Sequence, residues 1–198
     1  MDGDFKQIYG EYLRDESRQV GWAESIAFPR TEAEIISNLK EMSRKKIPVT
    51  SQGARTGLAA SAVPYGGYII NLSKMNKVTG ARYDEKEDRF FLTLQPGVLL
   101  SDLRKYIANK SFDVTGWDIE SLHALKFMEK GKWFYSTDPT ESSASMGGIA
   151  SCNASGARSY KYGSARDHIT GLRVVLADGD VLALKRGKCL ASGDEFSL

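Results

Sequence analysis

A run of small residues and glycines between Thr137 and Gly163 constrains the fold of this chain more than any other feature. It reads TDPTESSASMGGIASCNASGARSYKYG, with small side chains where a protein core would hold bulky ones. A second glycine-rich loop, SQGARTG over residues 51–57, follows an apolar stretch far upstream. Glycine lets a ligand approach the backbone closely. We therefore expect one long ligand, with one end held by the first loop and the other end by the second.

Composition limits the classes of protein to which the chain can belong. Its 198 residues can bury a real core, in one domain or two small ones. Lys and Arg number 27 against 25 Asp and Glu, so the chain lacks the basic excess of a nucleic-acid binder. No apolar run approaches the roughly 20 residues of a membrane span. We expect a cytoplasmic protein, attached to a membrane peripherally at most.

The two cysteines, Cys152 and Cys189, form neither a CxxC pair nor a Cys/His cluster. Their spacing therefore gives no indication of a metal site. We expect both to be free thiols in a reducing compartment.

The first part of the chain predicts two helices. Residues 1–28 form a polar lead-in in which apolar residues recur at helical spacing. After Pro29, Thr31 can cap a second helix and Glu34 can complete a capping box. The apolar face of that helix would carry Ile35, Leu39 and Met42, and Pro48 would stop it.

Strands and helices then mix without regular alternation. Strands are predicted at residues 49–50, 68–72 and 90–95, and helices at residues 99–107 and 119–129. Residues 172–177 and 181–184 flank Asp178-Gly179-Asp180, which predicts a β-hairpin. This order favours an α+β fold over a doubly wound sheet.

The first loop has the composition of an anion-binding turn. Successive backbone N–H groups in such a turn can converge on an anion, of which a pyrophosphate is the commonest. Gly53, Gly57 and the Thr56 hydroxyl could bind it, but the segment is neither GxxxxGK[ST] nor GxGxxG. An ordinary turn explains the loop equally well.

The second loop offers many hydrogen-bond donors in a short span. A flat aromatic ligand could lie along its backbone, at Gly147, Gly148, Ser151, Asn153 and Gly156. The alternative is a tight, glycine-lined packing contact between strands.

The titratable residues predict no catalytic group. His123 and His168 have no serine or cysteine in a nucleophile-elbow context, so we interpret both as surface or structural residues. Asp138 and Glu141 are close in sequence, but that spacing in a loop does not make an acid/base pair.

Three other side chains near the second loop leave alternatives open. Cys152 can be a small buried residue or a redox group. Tyr160 and Tyr162 can hydrogen-bond a ligand or only cover it.

Together, the loops resemble the FAD-binding (PCMH-type) domain of the vanillyl-alcohol oxidase superfamily. The resemblance is greatest to the D-lactate dehydrogenase and glycolate oxidase FAD-subunit group. It rests on five blocks in the family's order: GARTGLAASAVP (53–64), GGYIINLSKMNKV (66–78), LQPGV (94–98), DPTESSASMGGIASCNASGARSYKYGSARDHITGL (138–172) and VVLADGDVL (174–182).

The resemblance implies an FAD-binding α+β fold of two small α/β subdomains, here truncated. The first loop would surround the pyrophosphate with Gln52, Gly53, Ala54, Arg55, Thr56 and Gly57, with Ser61 and Ala62 nearby. The second would line the flavin, ribityl and phosphate groups with Pro139, Thr140, Gly147, Gly148, Ser151, Asn153, Gly156 and Gly163. The backbone of Ile169 would face the adenine side.

Departures from the family pattern carry their own implications. Members that attach FAD covalently have a histidine where this chain has Arg55, so the resemblance implies non-covalent FAD. Ala54 and Ala60 replace glycines common in the motif. Residues 117–136 are longer and more aromatic than the usual approach to the Asp-Pro dipeptide.

The resemblance also implies missing parts, namely a substrate-binding cap and a C-terminal segment with histidine motifs. We expect residues 1–28 to be a helical lead-in and residues 29–198 an incomplete FAD domain. On that basis the chain would be a fragment, a truncated product or half of a split enzyme. The uncovered sheet predicts self-association.

The implied function is the FAD-binding portion of an oxidoreductase that oxidises a 2-hydroxy acid such as D-lactate or glycolate. Its catalytic base would lie in the missing half, so the chain alone would be nearly inactive. One alternative is a non-catalytic flavin-binding remnant, or a split subunit that needs a partner chain. Another is a different chemistry on the same domain, as in cell-wall precursor reductases or flavoprotein subunits of molybdenum enzymes.

Overall fold

The computed structural model describes residues 2–188, 191–192 and 195–196. Six α-helices occur in these residues: α1 (Asp2–Tyr9), α2 (Glu32–Lys45), α3 (Leu100–Asn109), α4 (Ile119–Met128), α5 (Met146–Ser151) and α6 (Ser159–Tyr162). The strands in the same residues are β1 (Ser25–Ala27), β2 (Val49–Gln52), β3 (Tyr68–Asn71), β4 (Val78–Asp84), β5 (Arg89–Leu94), β6 (Gly171–Val175), β7 (Val181–Lys185), β8 (Ala191–Ser192) and β9 (Glu195–Phe196).

A parallel sheet in the order β1-β3-β2 forms the first unit, with α2 preceding β2. Its central strand is buried, with Ile69 fully inaccessible to solvent. Thr31 caps α2 by accepting the N–H of Glu34 at 3.2 Å. The Glu34 carboxylate accepts from the N–H of Arg30, not from that of Thr31, so the predicted capping box is only half formed.

The second unit is the antiparallel pair β4-β5, covered by α4. A register shift after Val78 frees backbone groups on the strand. The indole N–H of Trp117 donates to the carbonyl of Val78 at 2.9 Å, and the N–H of Ala81 donates to Ser121 Oγ at 3.1 Å. The aromatic segment over residues 117–136 thus packs against this sheet and completes its hydrogen bonding.

The hairpin β6-β7 turns at Gly179, whose φ of 86° lies in the left-handed region that glycine tolerates. Arg173 on β6 forms a two-pronged ion pair with Glu32 of α2, which joins the hairpin to the first unit. Leu172, Val174 and Leu176 leave an apolar row exposed.

The predicted α+β fold is confirmed, and the helices and strands predicted after residue 29 are all present. Four strands of the described residues were missed, namely β1, β4, β8 and β9. β1 is too short to show alternation, and Gly80 and Arg82 interrupt the apolar pattern of β4.

The N-terminal lead-in is helical only in its first part. It forms α1 and a 3-10 turn up to Leu13, whereas β1 lies further on and pairs with β3. The boundary between the lead-in and the FAD domain at residue 28 stays a prediction, although it lies between β1 and β3, which are hydrogen-bonded to each other. Within the described residues, no helix is long and apolar enough to cross a membrane.

Candidate functional site

The first loop leaves the carboxyl end of β2 from a buried polar anchor at Gln52. The Gln52 side chain is 1% exposed and donates both amide hydrogens, to the carbonyls of Tyr12 and Ala62, each at 2.7 Å. Its Oε1 accepts from Asn71 at 3.3 Å. Every polar atom of this side chain is therefore used inside the protein, so Gln52 supports the loop from behind.

Beyond Gln52 the loop presents a run of unpaired donors. Among the described residues, no acceptor bonds the backbone N–H of Gly53 or those of residues 55–61. Arg55 and Ala60 have φ values of 59° and 57°, and such left-handed residues turn neighbouring N–H groups to a common side. A Cβ at Gly57 would meet no atom of the described residues within 4 Å. The loop therefore has the unpaired donors and the left-handed residues that an anion nest requires.

Ser145 joins this loop to the second one. It caps α5 by accepting the N–H of Gly148 at 3.4 Å, and it also accepts the N–H of Ala54 at 3.3 Å. A Cβ on Gly53 would lie 2.1 Å from Ser145 Oγ, and Ser145 is 3% exposed. The two loops thus lie side by side at this contact, and our expectation that they hold opposite ends of one long ligand stays a prediction.

Ser145 was not among the predicted site residues. The signal for it was present, because a serine three residues before Gly148 is the spacing of an N-cap. Its second bond, to the first loop, spans 91 residues and has no local signal.

The glycines of the second loop divide into two kinds. A Cβ on Gly147 would lie 2.6 Å from Pro96 Cβ, and one on Gly156 would lie 1.5 Å from the Asp138 carbonyl oxygen. Gly163 has a φ of 86° and packs on Asp167. These three are packing glycines, the alternative considered above. Gly148 is exposed, and a Cβ on it would lie 3.1 Å from the side-chain oxygen of Ser145, which caps its helix.

The other predicted residues of the second loop are partly used within it. Ser151 Oγ donates to the Gly147 carbonyl at 2.9 Å, and Asn153 Oδ1 accepts the N–H of Arg166 at 2.9 Å. Pro139 is buried, whereas Thr140 is exposed. The Ile169 carbonyl accepts from Arg186 Nε at 2.9 Å.

The remaining predicted residues of the first loop differ in exposure. Thr56 is half-buried and Ser61 is exposed. The N–H of Ala62 donates to an Asp15 carboxylate oxygen at 3.4 Å. The Ala62 carbonyl is one of the two acceptors of Gln52, so Ala62 marks the closed end of the loop.

The charged residues of the site hold segments together. Asp138 forms ion pairs with Arg104 of α3 and, at 3.5 Å, with Arg158. Glu141 accepts the N–H and hydroxyl of Ser143, both at 2.8 Å, and these bonds lower the pKa of its carboxyl. The two carboxylates are thus separately bonded, in agreement with our interpretation that they are not an acid/base pair.

Histidine and cysteine have no catalytic partner at the site in the part of the chain that the structure describes. The His168 ring bonds Ser136 Oγ at 3.2 Å and the Tyr162 carbonyl at 2.8 Å, a structural role as expected. Cys152 is a free thiol and exposed, so the buried alternative is wrong. Cys189 lies outside the described residues. Tyr160 is fully exposed, whereas Tyr162 packs on Phe134.

An open depression of about 400 Å³ lies beside the first loop. Ala54 and Arg55 form one wall, and residues of the N-terminal segment between Glu11 and Val20 form the other. The arrangement, a parallel sheet ending in a nest of free amides with a second glycine loop against it, is that of a cofactor-binding α+β domain.

A model of the FAD binding domain family matches residues 23–122 and 120–185, which is most of the chain. The chain therefore belongs to the FAD binding domain family. The FAD-binding domain that the resemblance implied is thus confirmed.

Relatives of known name share this region. A D-lactate dehydrogenase of Anaerostipes hadrus is 35% identical over 181 residues, which cover 90% of this chain and 33% of the relative. The glycolate oxidase subunit GlcD of Bacillus subtilis (strain 168) is 29% identical over 161 residues, covering 80% and 29%. The chain thus spans about a third of the length of the relatives that it matches.

Solved structures show the same fold at low identity. The 6-hydroxy-D-nicotine oxidase of Arthrobacter nicotinovorans matches with a TM-score of 0.66 and 19% identity, over 94% of this chain and 35% of that one. A xylooligosaccharide oxidase from Myceliophthora thermophila C1 matches with a TM-score of 0.62 and 19% identity, over 92% and 33%. At this identity the likeness concerns the fold alone.

Proposed function

We propose that the chain binds FAD non-covalently and is the FAD-binding portion of an oxidoreductase that acts on a 2-hydroxy acid such as D-lactate or glycolate. The observation that carries the proposal is the run of unpaired N–H groups at Gly53 and residues 55–61, beside Ser145. Such a nest fits a diphosphate, which needs several donors at once.

In this proposal the first loop holds the pyrophosphate through its backbone. Gly57 leaves space for the phosphate to approach, and the Thr56 hydroxyl adds a donor. Ser145 Oγ accepts two N–H groups but donates to no described residue, so its hydrogen can serve a ligand oxygen. Gln52 and Ala62 act indirectly, by fixing the ends of the loop.

The second loop would face the flavin and ribityl groups. Gly148 and Thr140 are exposed and can contact a ligand directly. The other residues carried over from the family would shape the loop by packing or by internal hydrogen bonds: Pro139, Gly147, Ser151, Asn153, Gly156, Gly163 and Ile169.

Bound FAD supplies the redox chemistry, by accepting a hydride equivalent from the α-carbon of a hydroxy acid. The substrate class is supported by relatives named for D-lactate, D-2-hydroxyglutarate and glycolate. Residues 52–62 and 138–163 contain no histidine, and their two carboxylates, Asp138 and Glu141, are engaged. The chain's own task in this proposal is therefore to bind and orient the cofactor.

A second candidate is a flavin-binding subunit that works only with a partner chain. The observation that favours it is the same lack of an available base in the two loops, in a chain that spans about a third of its relatives. FAD binding without turnover, followed by activity on addition of the remaining polypeptide, would support it. Turnover of D-lactate by this chain alone would exclude it.

Self-association is the remaining part of the proposal. Leu172, Val174 and Leu176 expose an apolar row along β6 that a second copy could cover. Sedimentation velocity should show dimers or larger species, and Val174→Lys should reduce them. A monodisperse monomer at all concentrations would contradict this part alone.

The test of FAD binding is an absorbance spectrum of the purified chain after incubation with FAD and desalting. Flavin that stays with the protein and passes into the supernatant on acid precipitation indicates a non-covalent site. Gly57→Asp should abolish retention, because it puts a carboxylate into the nest. Ala177→Asp, an equal charge change at an exposed position after β6, should not. Loss of flavin from the unchanged chain during desalting would contradict the proposal.

A further inference from the structure

The N-terminal segment over residues 11–22, here called the strap, lies outside the family match, which begins at residue 23. The strap is nevertheless built into the first unit. Gly21 donates to the Leu13 carbonyl at 2.7 Å, and Trp22 donates to the Pro64 carbonyl at 3.0 Å. A Cβ at Gly21 would lie 1.8 Å from the Pro64 carbonyl oxygen, so the contact is close.

The strap bonds both ends of the first loop. The N–H of Glu16 donates to the Arg55 carbonyl at 3.2 Å. The buried Asp15 carboxylate accepts from Ser17 at 2.9 Å and from Ala62 at 3.4 Å. The loop therefore has support from the strap on one side and from Ser145 on the other.

The Arg55 side chain points to the strap as well. Its guanidinium carbon lies 4.3 Å from the centre of the Tyr12 ring, and its Nη2 lies 3.4 Å from a Glu11 carboxylate oxygen. The Arg55 side chain is 19% exposed, whereas that of Glu11 is 63% exposed, so water is largely excluded from the guanidinium but not from the carboxylate. A guanidinium on an aromatic face is held by cation–π attraction, which strengthens as water is excluded.

We infer that Arg55 is a latch between the strap and the first loop, and that Tyr12 is a positioning residue for the cofactor. The guanidinium, tied to Tyr12 and Glu11, holds Arg55 in its left-handed conformation, and this conformation sets the direction of the neighbouring N–H groups. The phosphate contact of Arg55 is then made by its backbone and not by its charge. The inference rests on the proposed FAD function and extends the site to residues outside the family match.

The first experiment measures the dissociation constants of FAD, ADP and riboflavin for variants of Tyr12. Tyr12→Leu removes the ring face, and the dissociation constants of FAD and ADP should rise about 3- to 10-fold. The dissociation constant of riboflavin, which has no pyrophosphate, should not change. Tyr12→Phe keeps the ring and should match the unchanged chain. The control Gln19→Ala, which removes a strap contact to Tyr65 and none to the loop, should also match it.

Tyr12 also packs against Phe28, at 5.1 Å between ring centres, so its loss can affect folding. Glu11→Gln is a milder variant, because the Glu11 side chain is exposed and bonds only Arg55 among the described residues. It should raise the dissociation constants of FAD and ADP about 2-fold and leave the melting temperature unchanged. Equal losses for riboflavin and FAD in Tyr12→Leu would overturn the inference, since they would indicate general unfolding.

Amide hydrogen exchange in the cofactor-free chain provides a second measurement. The N–H groups of Glu16 and Ala62 are the donors that join the strap to the loop, and their exchange should accelerate in Tyr12→Leu but not in Tyr12→Phe. Unchanged exchange of the Glu16 and Ala62 N–H groups in Tyr12→Leu would overturn the inference that Arg55 joins the strap to the loop. If the unchanged chain binds no FAD, the proposed function fails, while the exchange rates still decide whether the latch exists.

Discussion

The backbone N–H of Ala54 donates to Ser145 Oγ, which joins two glycine loops that are 91 residues apart in the chain. The same oxygen accepts the N–H of Gly148 and lies where a side chain on Gly53 would have to go. A single buried hydroxyl therefore fixes the spacing of both loops.

The contact between Gly53 and Ser145 predicts non-additive substitutions. Gly53→Ala places a methyl group 2.1 Å from Ser145 Oγ and should lower the free energy of unfolding by about 1–3 kcal/mol. Ser145→Ala removes the cap and the loop contact and should cost about 1 kcal/mol. The double variant should be less damaged than the sum of the two, because the colliding oxygen is gone. Urea unfolding of all four proteins measures this, and strict additivity would contradict the contact.

Substitutions at the two kinds of glycine should affect different properties. A packing glycine should matter for the free energy of unfolding, and a glycine that faces the ligand should matter for FAD binding. A methyl group on Gly156 would lie 1.5 Å from the Asp138 carbonyl oxygen, so Gly156→Ala should destabilise the chain by about 3 kcal/mol or more. Gly57→Ala meets open space and should change the free energy of unfolding by less than about 0.5 kcal/mol. It should still weaken FAD binding, because the methyl group occupies the approach of the pyrophosphate. Urea unfolding measures the stability of each variant, and FAD titration measures its affinity. An unaltered FAD affinity in Gly57→Ala would argue against a phosphate at that position.

Local sequence signals account for much of the fold. The cap at Thr31, the apolar spacing in α3 and the Asp-Gly-Asp turn each act within a few residues, so the sequence alone predicts α2, α3 and the β6-β7 hairpin. β1 escapes such reasoning because it forms only by pairing with β3, which lies far along the chain. Its existence depends on tertiary hydrogen bonds.

The candidate site was predictable in composition but not in the role of each residue. Glycine spacing located both loops, yet whether a glycine packs on protein or faces a ligand depends on distant neighbours. Gly147 has no room for a side chain because it packs on Pro96. Gly156 has none because it packs on the Asp138 carbonyl. Ser145 and the strap were missed for the same reason, because their contacts to the first loop come from remote parts of the chain.

The aromatic segment before the second loop should contribute to stability through one hydrogen bond. Trp117 is 8% exposed and its indole N–H donates to the Val78 carbonyl at 2.9 Å. Trp117→Phe leaves this buried carbonyl without its donor and should lower the free energy of unfolding by about 1–3 kcal/mol. Ile119→Ala, at an 85% exposed position of α4, should cost under about 0.5 kcal/mol. Equal free energies of unfolding for the two variants, measured in urea, would mean that this hydrogen bond does not stabilise the chain.

The attachment of the β6-β7 hairpin to α2 should depend on pH through Glu32. The hydrogen bonds and charge of Arg173 lower the pKa of the Glu32 carboxyl below its ordinary value of 4.5. A carboxyl with a lowered pKa in the folded state stabilises it above the unfolded pKa, and this stabilisation is lost as the pH falls through the folded value. The protection factors of the β6 amides, which correct the exchange rates for the pH dependence of unprotected amides, should therefore fall below about pH 4.5 in the unchanged chain, by linkage.

Two variants isolate this ion pair. Glu32→Gln should show the lower protection factors in β6 already at neutral pH, and these should change little further on acidification. Glu41→Gln makes the same charge change on α2, but Glu41 pairs with Lys45 on its own helix, so the hairpin should exchange as in the unchanged chain. Added salt should accelerate β6 exchange in the unchanged chain and in Glu41→Gln only, because it screens the charges of the exposed pair. Identical acid profiles for all three proteins would show that other contacts hold the hairpin against α2.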